Sequence, residues 1–361
     1  MSDVGHAIVG LAGAAIVAWA IVAAVVTVVV PRATPVMLTR LVFTLTRIPF
    51  HARARHMRDF RRRDALLAAY APTGLLMLPL AWLLLVIAGC MLIDWSLGAP
   101  SMRAAFAESG SSLFTLGFFS PQSLPQTAVA FVEAALGLGL VALLIAYLPS
   151  IYNSYSRREV MVTSLETQAG SPPSAIELIE RLARIDGLAE TDDIWRDWTR
   201  WFADIEETHV STPSLVYFRS PQPERSWVTA AGAVLDAASL LVAAIDLDRQ
   251  PQAELCIRAG YISLRRICDF YGQPYNPNPR PDDPISIERA EFEAACDRFA
   301  AAGAKLRTDR EKAWRDFAGW RVNYDAVLLT LASLTLAPPA PWSSARAAPG
   351  FRPPLNPRRR L

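Results

Sequence analysis

Long stretches without charge dominate the first 156 residues of the chain, and a mixed polar and apolar pattern follows them. The three longest uncharged or nearly uncharged stretches are Ile8–Val30, Ala65–Ile93 and Ser109–Ser156. The hydrocarbon core of a bilayer is about 30 Å thick, and about 20 apolar residues cross it as a helix. The pattern therefore predicts three transmembrane helices. They are expected over about residues 8–30, 66–93 and 127–148.

A mildly polar segment separates the second and third predicted helices and is too short to cross the bilayer. It runs from Ser101 to Phe114 and leads into Thr115-Leu-Gly-Phe118. We interpret it as a short helix that enters the membrane, followed by an extended strand that leads back out. Non-helical backbone at membrane depth is tolerated only where protein buries it or where it lines a water-filled path. The segment therefore predicts a re-entrant pore helix and loop, buried by further copies of the chain.

An arginine-rich segment fixes the expected orientation. Its basic residues are Arg53, Arg55, Arg58, Arg61, Arg62 and Arg63. Such segments stay on the cytosolic side of a membrane, and they attract anionic lipid. We therefore expect a multi-pass protein of the plasma membrane whose residues after Arg157 are cytosolic. Because the cluster lies between two predicted spans, we expect it to contact membrane lipids and not nucleic acid.

From Arg157 onward the composition is that of a soluble domain, with 26 basic and 28 acidic residues. Apolar residues at helical spacing predict an all-α cytosolic domain there, after a polar connector over residues 154–173. The apolar stretch Trp227–Leu247 is interpreted as a helix buried in this domain, and a fourth transmembrane helix is the alternative. The Pro- and Arg-rich tail from Pro338 predicts disorder.

The predicted fold class is a membrane all-α protein: three transmembrane helices with a re-entrant pore helix and loop, followed by an all-α cytosolic domain. The predicted parts are an N-terminal transmembrane helix (1–33), an amphipathic and Arg-rich cytosolic segment (34–64), a helix–loop–helix module (65–156), the cytosolic helical domain (157–337) and the disordered tail (338–361).

Residues 65–156 resemble the helix–pore loop–helix module of the potassium channel superfamily. The motif that carries the resemblance is Ser112-Leu-Phe-Thr-Leu-Gly-Phe118, which is similar to the family's Thr-Val-Gly-Tyr-Gly filter. The resemblance implies a homotetrameric channel for monovalent cations. It also implies that the carbonyl groups of Thr115, Leu116 and Gly117 replace an ion's hydration shell, with Phe118 packed behind them. Phe119 stands where the family has its second filter glycine.

Three residues of the third predicted helix are candidates for a role in the pore or in gating. The resemblance implies a hinge glycine about twenty residues after the filter, where the chain has Gly137 and Gly139. Glu133 is a lone acid inside an apolar stretch, which is by default a functional-site hypothesis. It could attract cations, pair with Arg103, or sit near the outer interface within reach of water.

Two other functions stay open on the sequence alone. The chain could be a membrane-anchored sensor or scaffold in which residues 103–126 are only an external loop, or a pore-loop relative that does not conduct. An enzyme is not expected, because the sequence has no Gly-rich phosphate loop, nucleophile elbow or HExxH motif. No cofactor and no metal is predicted, and the acidic stretch that ends at His209 is interpreted as the solvated face of a helix.

Overall fold

The fold is described from a computed structural model, over residues 3–30, 37–57 and 59–347. In these ranges the regular structure consists of thirteen α-helices and one 3-10 helix, and the β-pairing is limited to an isolated bridge between Ile245 and Leu306. The prediction of an all-α protein is thereby confirmed. The chain divides into two compact units, of which the first ends at Asn153 and the second begins at Ser154.

The first unit contains five helices and most of a sixth. They are α1 (Asp3–Val28), α2 (Met37–Ala54), α3 (Phe60–Ala68), α4 (Tyr70–Ser96), α5 (Met102–Leu113) and α6 (Leu124–Ala169). Three stretches here are long and apolar enough to cross a membrane, namely α1, the stretch formed by α3 and α4, and α6. The unit therefore has the composition of a membrane protein.

Two glycines let α1 and α4 pack closely. A Cβ atom added to Gly13 would lie 2.4 Å from the carbonyl oxygen of Gly89, and one added to Gly89 would lie 2.7 Å from the carbonyl oxygen of Gly13. Neither distance is possible for a real side chain. Small residues that allow this approach are a common basis of helix packing in lipid, where no hydrophobic effect drives helices together.

Polar contacts attach α2 to its neighbours. The Tyr70 hydroxyl at the start of α4 donates to the carbonyl oxygen of Phe43 over 3.0 Å, and the Phe43 ring lies where a side chain at Gly74 would be. The hydroxyls of Thr27 and Thr39 are 2.9 Å apart, which links α1 to α2. The amphipathic helix predicted before the arginine-rich segment is thus held against the first unit.

The second unit begins on the last part of α6 and adds seven α-helices and the 3-10 helix Pro213–Tyr217. The helices are α7 (Ala175–Arg184), α8 (Asp192–Ser211), α9 (Trp227–Ala244), α10 (Pro251–Phe270), α11 (Arg289–Ala301), α12 (Arg310–Arg321) and α13 (Asp325–Thr335). Helices α7, α10, α12 and α13 all contact α9, which therefore forms the centre of the unit.

Helix α9 is long and apolar enough to cross a membrane but is buried by protein. In its 18 residues 94% are buried, whereas the share in the most apolar 18-residue window is 22% for α1 and 17% for α6. Ser226 caps its N-terminus by accepting the Val228 N–H over 3.2 Å. The burial agrees with the interpretation of Trp227–Leu247 as a helix inside the domain.

A buried ionic network holds the end of the described chain to this core. The Arg321 guanidinium, which is fully buried, pairs with Asp236 on α9 and with Asp325, at 2.9 Å in the latter pair. The Tyr324 hydroxyl donates to the same Asp236 carboxylate over 2.9 Å. Arg321 also donates to the carbonyl oxygen of Trp342 over 2.7 Å.

Two predictions about the ends of the domain need correction. The expected polar connector over residues 154–173 is helical as far as Ala169, because Val162, Leu165 and Ala169 insert into the core of the second unit. The expected disordered tail does not begin at Pro338, since residues 338–347 pack on the domain and Trp342 is only 8% exposed. Residues 348–361 lie outside the described residues.

We predict that Arg321→Met destabilises the second unit by about 3–5 kcal/mol, because it leaves the Asp236 carboxylate buried without its cation. The control is Arg315→Met, an exposed arginine on the same helix, which should change the free energy of unfolding by less than about 0.5 kcal/mol. Unfolding of the full chain in detergent, followed by tryptophan fluorescence, measures both. Equal stabilities of the two variants would contradict the prediction.

Candidate functional site

The segment between α4 and α6 has the short helix that the sequence predicts. Ser101 caps α5 by accepting the Ala104 N–H over 3.1 Å, and the helix ends at Leu113. At 1.5 Å per residue its twelve residues span about 18 Å, well short of a bilayer core. After a turn at Phe114, the chain has no regular structure until α6 begins at Leu124.

The loop after α5 is fastened through its N–H groups. The Leu116 N–H donates to the carbonyl oxygen of Ser111 over 2.8 Å, and the Phe119 N–H donates to the Ser111 hydroxyl oxygen over 3.3 Å. The carbonyl groups of residues 115–118, in contrast, accept no hydrogen bond from any described residue. Four consecutive carbonyl oxygens are therefore available to a ligand.

The backbone of this loop departs from an ordinary strand at every second residue. Thr115 has a φ of +53° and Gly117 a φ of +71°, whereas Leu116 and Phe118 are not among the residues with positive φ. Glycine takes a positive φ without steric cost, but threonine adopts it only under constraint. In a regular strand neighbouring residues face opposite sides, and a change in the sign of φ at alternate residues disturbs that alternation.

The four predicted filter residues lie on the surface of the single chain. Leu116 is 61% exposed and Phe118 is 66% exposed. Phe118 therefore does not pack behind the loop within its own chain, although the resemblance implied that it would. The hydrogen bonds of the loop depend instead on Ser111, which is buried.

Glu133 is buried within the first unit, where Ser109 on α5 donates to its Oε1 atom over 2.5 Å. Two of the three sequence-based alternatives are wrong. Glu133 is 0% exposed, so it has no contact with water, and Arg103 is exposed and makes no ion pair with it. An acid and a serine on different helices thus join α5 to α6.

The two candidate hinge glycines have different surroundings. A Cβ atom at Gly137 would lie 2.1 Å from the carbonyl oxygen of Leu113, at the end of α5, whereas nothing lies within 4 Å of such an atom at Gly139. Helix α6 continues unbroken through both positions. Gly137 is therefore a packing residue that admits the end of α5, and this explains the glycine without a hinge.

The arginine-rich segment covers the end of α2 and the start of α3. Asp59 caps α3 by accepting the Arg61 N–H over 3.0 Å. Four side chains of the cluster are exposed, those of Arg53, Arg55, Arg61 and Arg62, and that of Arg63 is partly exposed. Arg58 lies outside the described residues. The exposed arginine side chains are accessible at the surface and can contact a charged surface.

Within the second unit, a buried arginine ties the last part of α6 to the 3-10 helix. The Arg158 guanidinium donates to the carbonyl oxygens of Leu215 over 3.1 Å and Phe218 over 2.8 Å, and it pairs with Glu159 at 2.8 Å. The His209 Nε2 atom is 3.4 Å from it. His209 is thus buried in the core, which corrects its placement on a solvated helix face.

The hydrogen bonds of His209 define its protonation state. Its Nδ1 atom is 2.7 Å from the carbonyl oxygen of Ile205, which requires an N–H at Nδ1 and leaves Nε2 to accept from Arg158. Burial, together with the positive charge of Arg158, lowers the pKa of His209 to about 3. The imidazole is therefore neutral at physiological pH.

Several residues of the candidate site could not be identified from any pattern in the sequence. Ser109 and Ser111 lie in a polar run inside α5, and only the fold shows that they face Glu133 and the loop. Gln126 is also buried, and its Oε1 atom accepts from the Gln122 N–H over 3.1 Å. Among the described residues, no group of three His, Cys, Asp or Glu residues is arranged to hold a metal ion.

Comparison with protein families, with curated proteins and with solved structures gives no significant match to this chain. The arguments about its function therefore depend on the residues and geometry described above.

We predict opposite effects for alanine at the two glycines of α6. Gly137→Ala pushes a methyl group against the Leu113 carbonyl, and such overpacking costs about 1–3 kcal/mol. Gly139→Ala adds a better helix former in open space and should be neutral, or stabilising by up to about 1 kcal/mol. Thermal unfolding in detergent measures both. A similar loss in the two variants would contradict the packing role of Gly137.

We predict that acid destabilises the second unit through His209. The unfolded histidine binds a proton below its ordinary pKa of 6.5, while the folded one does so only near pH 3, so stability falls as the pH drops through that interval. At pH 5 the loss relative to pH 7.5 is about 2 kcal/mol. His209→Gln should remove this part of the pH dependence, whereas His56→Gln, at an exposed site, should leave it intact. Urea unfolding at both pH values is the measurement.

Proposed function

We propose that the chain is a subunit of an oligomeric pore-loop channel that conducts monovalent cations. Residues 115–118 form its ion pathway through their backbone carbonyl groups, and the second unit is a cytosolic regulatory domain. The observation that carries the proposal is the hydrogen bonding of the loop: the Leu116 and Phe119 N–H groups donate to Ser111, while the four consecutive carbonyl oxygens of residues 115–118 accept no hydrogen bond from a described residue.

A carbonyl oxygen without a hydrogen-bond partner costs free energy in a membrane unless another group replaces the water around it. Each unsatisfied backbone group in hydrocarbon costs several kcal/mol, which is why irregular backbone at that depth lines an aqueous path or is covered by protein. A dehydrated cation needs such oxygens in place of its hydration shell. The loop therefore supports a cation as the ligand.

The apolar surfaces of the first unit support three spans, formed by α1, α4 and α6. Their large apolar side chains are exposed in the single chain, where lipid or other subunits can cover them. Examples on α6 are Phe131, Val132, Leu138, Val141 and Ile145. With α5 too short to span, the order is a spanning helix, a re-entrant helix with its loop, and a second spanning helix.

Charge supports the orientation and the lipid partner. The exposed arginines of α2 and α3 precede α4, and Arg157 and Arg158 follow the apolar part of α6, so both basic ends lie on the side that the positive-inside rule assigns to the cytosol. In the plasma membrane this places the second unit in the cytosol. The cluster at Arg53–Arg63 then faces the anionic inner leaflet.

The exposure of the loop supports an oligomer. Leu116 and Phe118 are mostly uncovered in one chain, and a carbonyl-lined path needs oxygen ligands from several directions around an axis. Four copies around such an axis would bury both side chains and bring four sets of carbonyl oxygens together. We therefore propose a homotetramer.

We predict that Gly117→Val abolishes the current of the reconstituted protein. Valine resists the φ of +71° that Gly117 adopts, and strain of about 1–3 kcal/mol in each subunit reduces occupancy of the conducting form by about 5- to 160-fold. Gly110→Ala is the matched control, because this glycine is helical and faces open space. Planar bilayer recordings under K⁺ and Na⁺ gradients measure both variants.

An unchanged current in Gly117→Val would exclude Gly117 from the ion pathway. If wild-type protein that is shown to be inserted and oligomeric carries no current at all, the sensor or scaffold function is favoured instead. Cross-linking in the bilayer supplies the oligomeric state, so an absent current is not confused with failed assembly.

A further inference from the structure

Three carboxyl groups are buried side by side in the first unit, each on a different helix. Asp94 lies near the end of α4, Glu108 on α5 and Glu133 on α6, and they are 1%, 3% and 0% exposed. Glu108 and Glu133 are close enough to act electrostatically on Asp94, and Glu108 acts in the same way on Glu133. The hydroxyl of Ser109, next to Glu108 on α5, lies 2.5 Å from Glu133 on α6 and 3.4 Å from the carbonyl oxygen of Ile87 on α4. A buried acid on each long neighbour therefore flanks α5.

Most of the oxygens of these groups have no hydrogen-bond donor among the described residues. Ser109 donates to Oε1 of Glu133, but Oε2 of Glu133, Oε1 of Glu108 and both side-chain oxygens of Asp94 are buried and unpartnered. Buried polar atoms are almost always hydrogen-bonded in native proteins. Four unpartnered oxygens in one place therefore indicate a ligand that supplies donors or positive charge.

No basic side chain in the described part of the chain supplies that charge. Arg103 on α5 is exposed and makes no ion pair with any of the three acids. On α1, the His6 ring packs on Trp95 with ring centroids 5.9 Å apart and forms no ion pair with Asp94. The remaining titratable neighbour is the buried thiol of Cys90, which lies within hydrogen-bonding reach of Glu133 but brings no positive charge.

The choice between a metal ion and protons follows from the arrangement. Three negative charges cannot remain together in a buried site without compensation, so they bind either a cation or protons. No trio of His, Cys, Asp or Glu residues in the described ranges is arranged around a possible metal position. Protons need no such cage, because a protonated carboxyl carries no charge and gains an O–H donor of its own.

We propose that Asp94, Glu108 and Glu133 form a proton-binding site that holds α5 between α4 and α6. Bound protons provide O–H donors that link the three helices. When the site releases protons to water, the carboxylates left behind repel one another and weaken the packing of α5 against α4 and α6. The proposal does not depend on ion conduction, since it concerns the protonation and packing of one chain.

The test is labelling of the full-length protein with dicyclohexylcarbodiimide, which reacts with protonated carboxyl groups in apolar surroundings. The carboxyl proton moves to a carbodiimide nitrogen and the carboxylate oxygen bonds to the central carbon. The adduct then rearranges to a stable N-acylurea without loss of atoms. Mass spectrometry locates the label. We expect at least one of the three acids to be labelled at pH 7 and labelling to decline as the pH is raised to 9.

Glu190, an exposed acid of the second unit, is the internal control and should stay unlabelled. Glu133→Gln should lower the labelling of Asp94 at alkaline pH by up to about tenfold, because interacting carboxyls retain their protons jointly. If that variant does not fold, the pH dependence of labelling in the wild-type protein tests the proposal by itself.

Two results would overturn the proposal. One is labelling of the three acids that is no greater than that of Glu190 at pH 7. The other is protection from the label by K⁺, Na⁺ or Ca²⁺ at constant pH, which would make the ligand a metal cation. Neither result bears on the carbonyl groups of residues 115–118, so failure here is distinct from failure of the proposed ion pathway.

Discussion

At the membrane depth that we propose for the loop between α5 and α6, its backbone polar groups are subject to a strict constraint. In hydrocarbon no water is present to bind them, so each would need a partner within the protein or at an aqueous path. The carbonyl oxygen of Ser111 accepts the Leu116 N–H, and its hydroxyl oxygen accepts the Phe119 N–H. The carbonyl oxygens of residues 115–118 accept no hydrogen bond from a described residue, and the proposed ion pathway depends on these four oxygens.

The same constraint explains how the surroundings of α5 are built. A helix of twelve residues that does not span needs lateral support, and small or polar residues at its interfaces provide it. Gly137 admits the Leu113 carbonyl, and Ser109 reaches Glu133. In the second unit a helix of similar apolar character, α9, is supported by protein on all sides. Composition alone does not separate the two cases, because burial depends on what the neighbouring segments supply.

The sequence predicts those features that depend on local pattern. The lengths of the uncharged stretches are enough to place α1, α4 and α6 and to recognise that α5 is short. The features that depend on packing were missed: the continuation of α6 to Ala169, the attachment of Trp342 to Arg321, and the partner of Glu133. Each joins residues far apart in sequence. A spacing rule has no access to such contacts.

Helix α6 shows that a glycine in a long apolar helix need not be its flexible point. Gly137 packs against the end of α5, and α6 continues unbroken through Gly139, so neither glycine interrupts the helix. Pro149 does, because it has no N–H to donate to the carbonyl of Ile145 and its ring crowds that turn. The intrinsic weak point of α6 therefore lies beyond its contacts with α5 and before Arg158 fixes the helix in the second unit. Bending at Pro149 would leave intact the contacts of α6 with α5 and those that Arg158 makes within the second unit. Bending at Gly137 would break the contacts with α5.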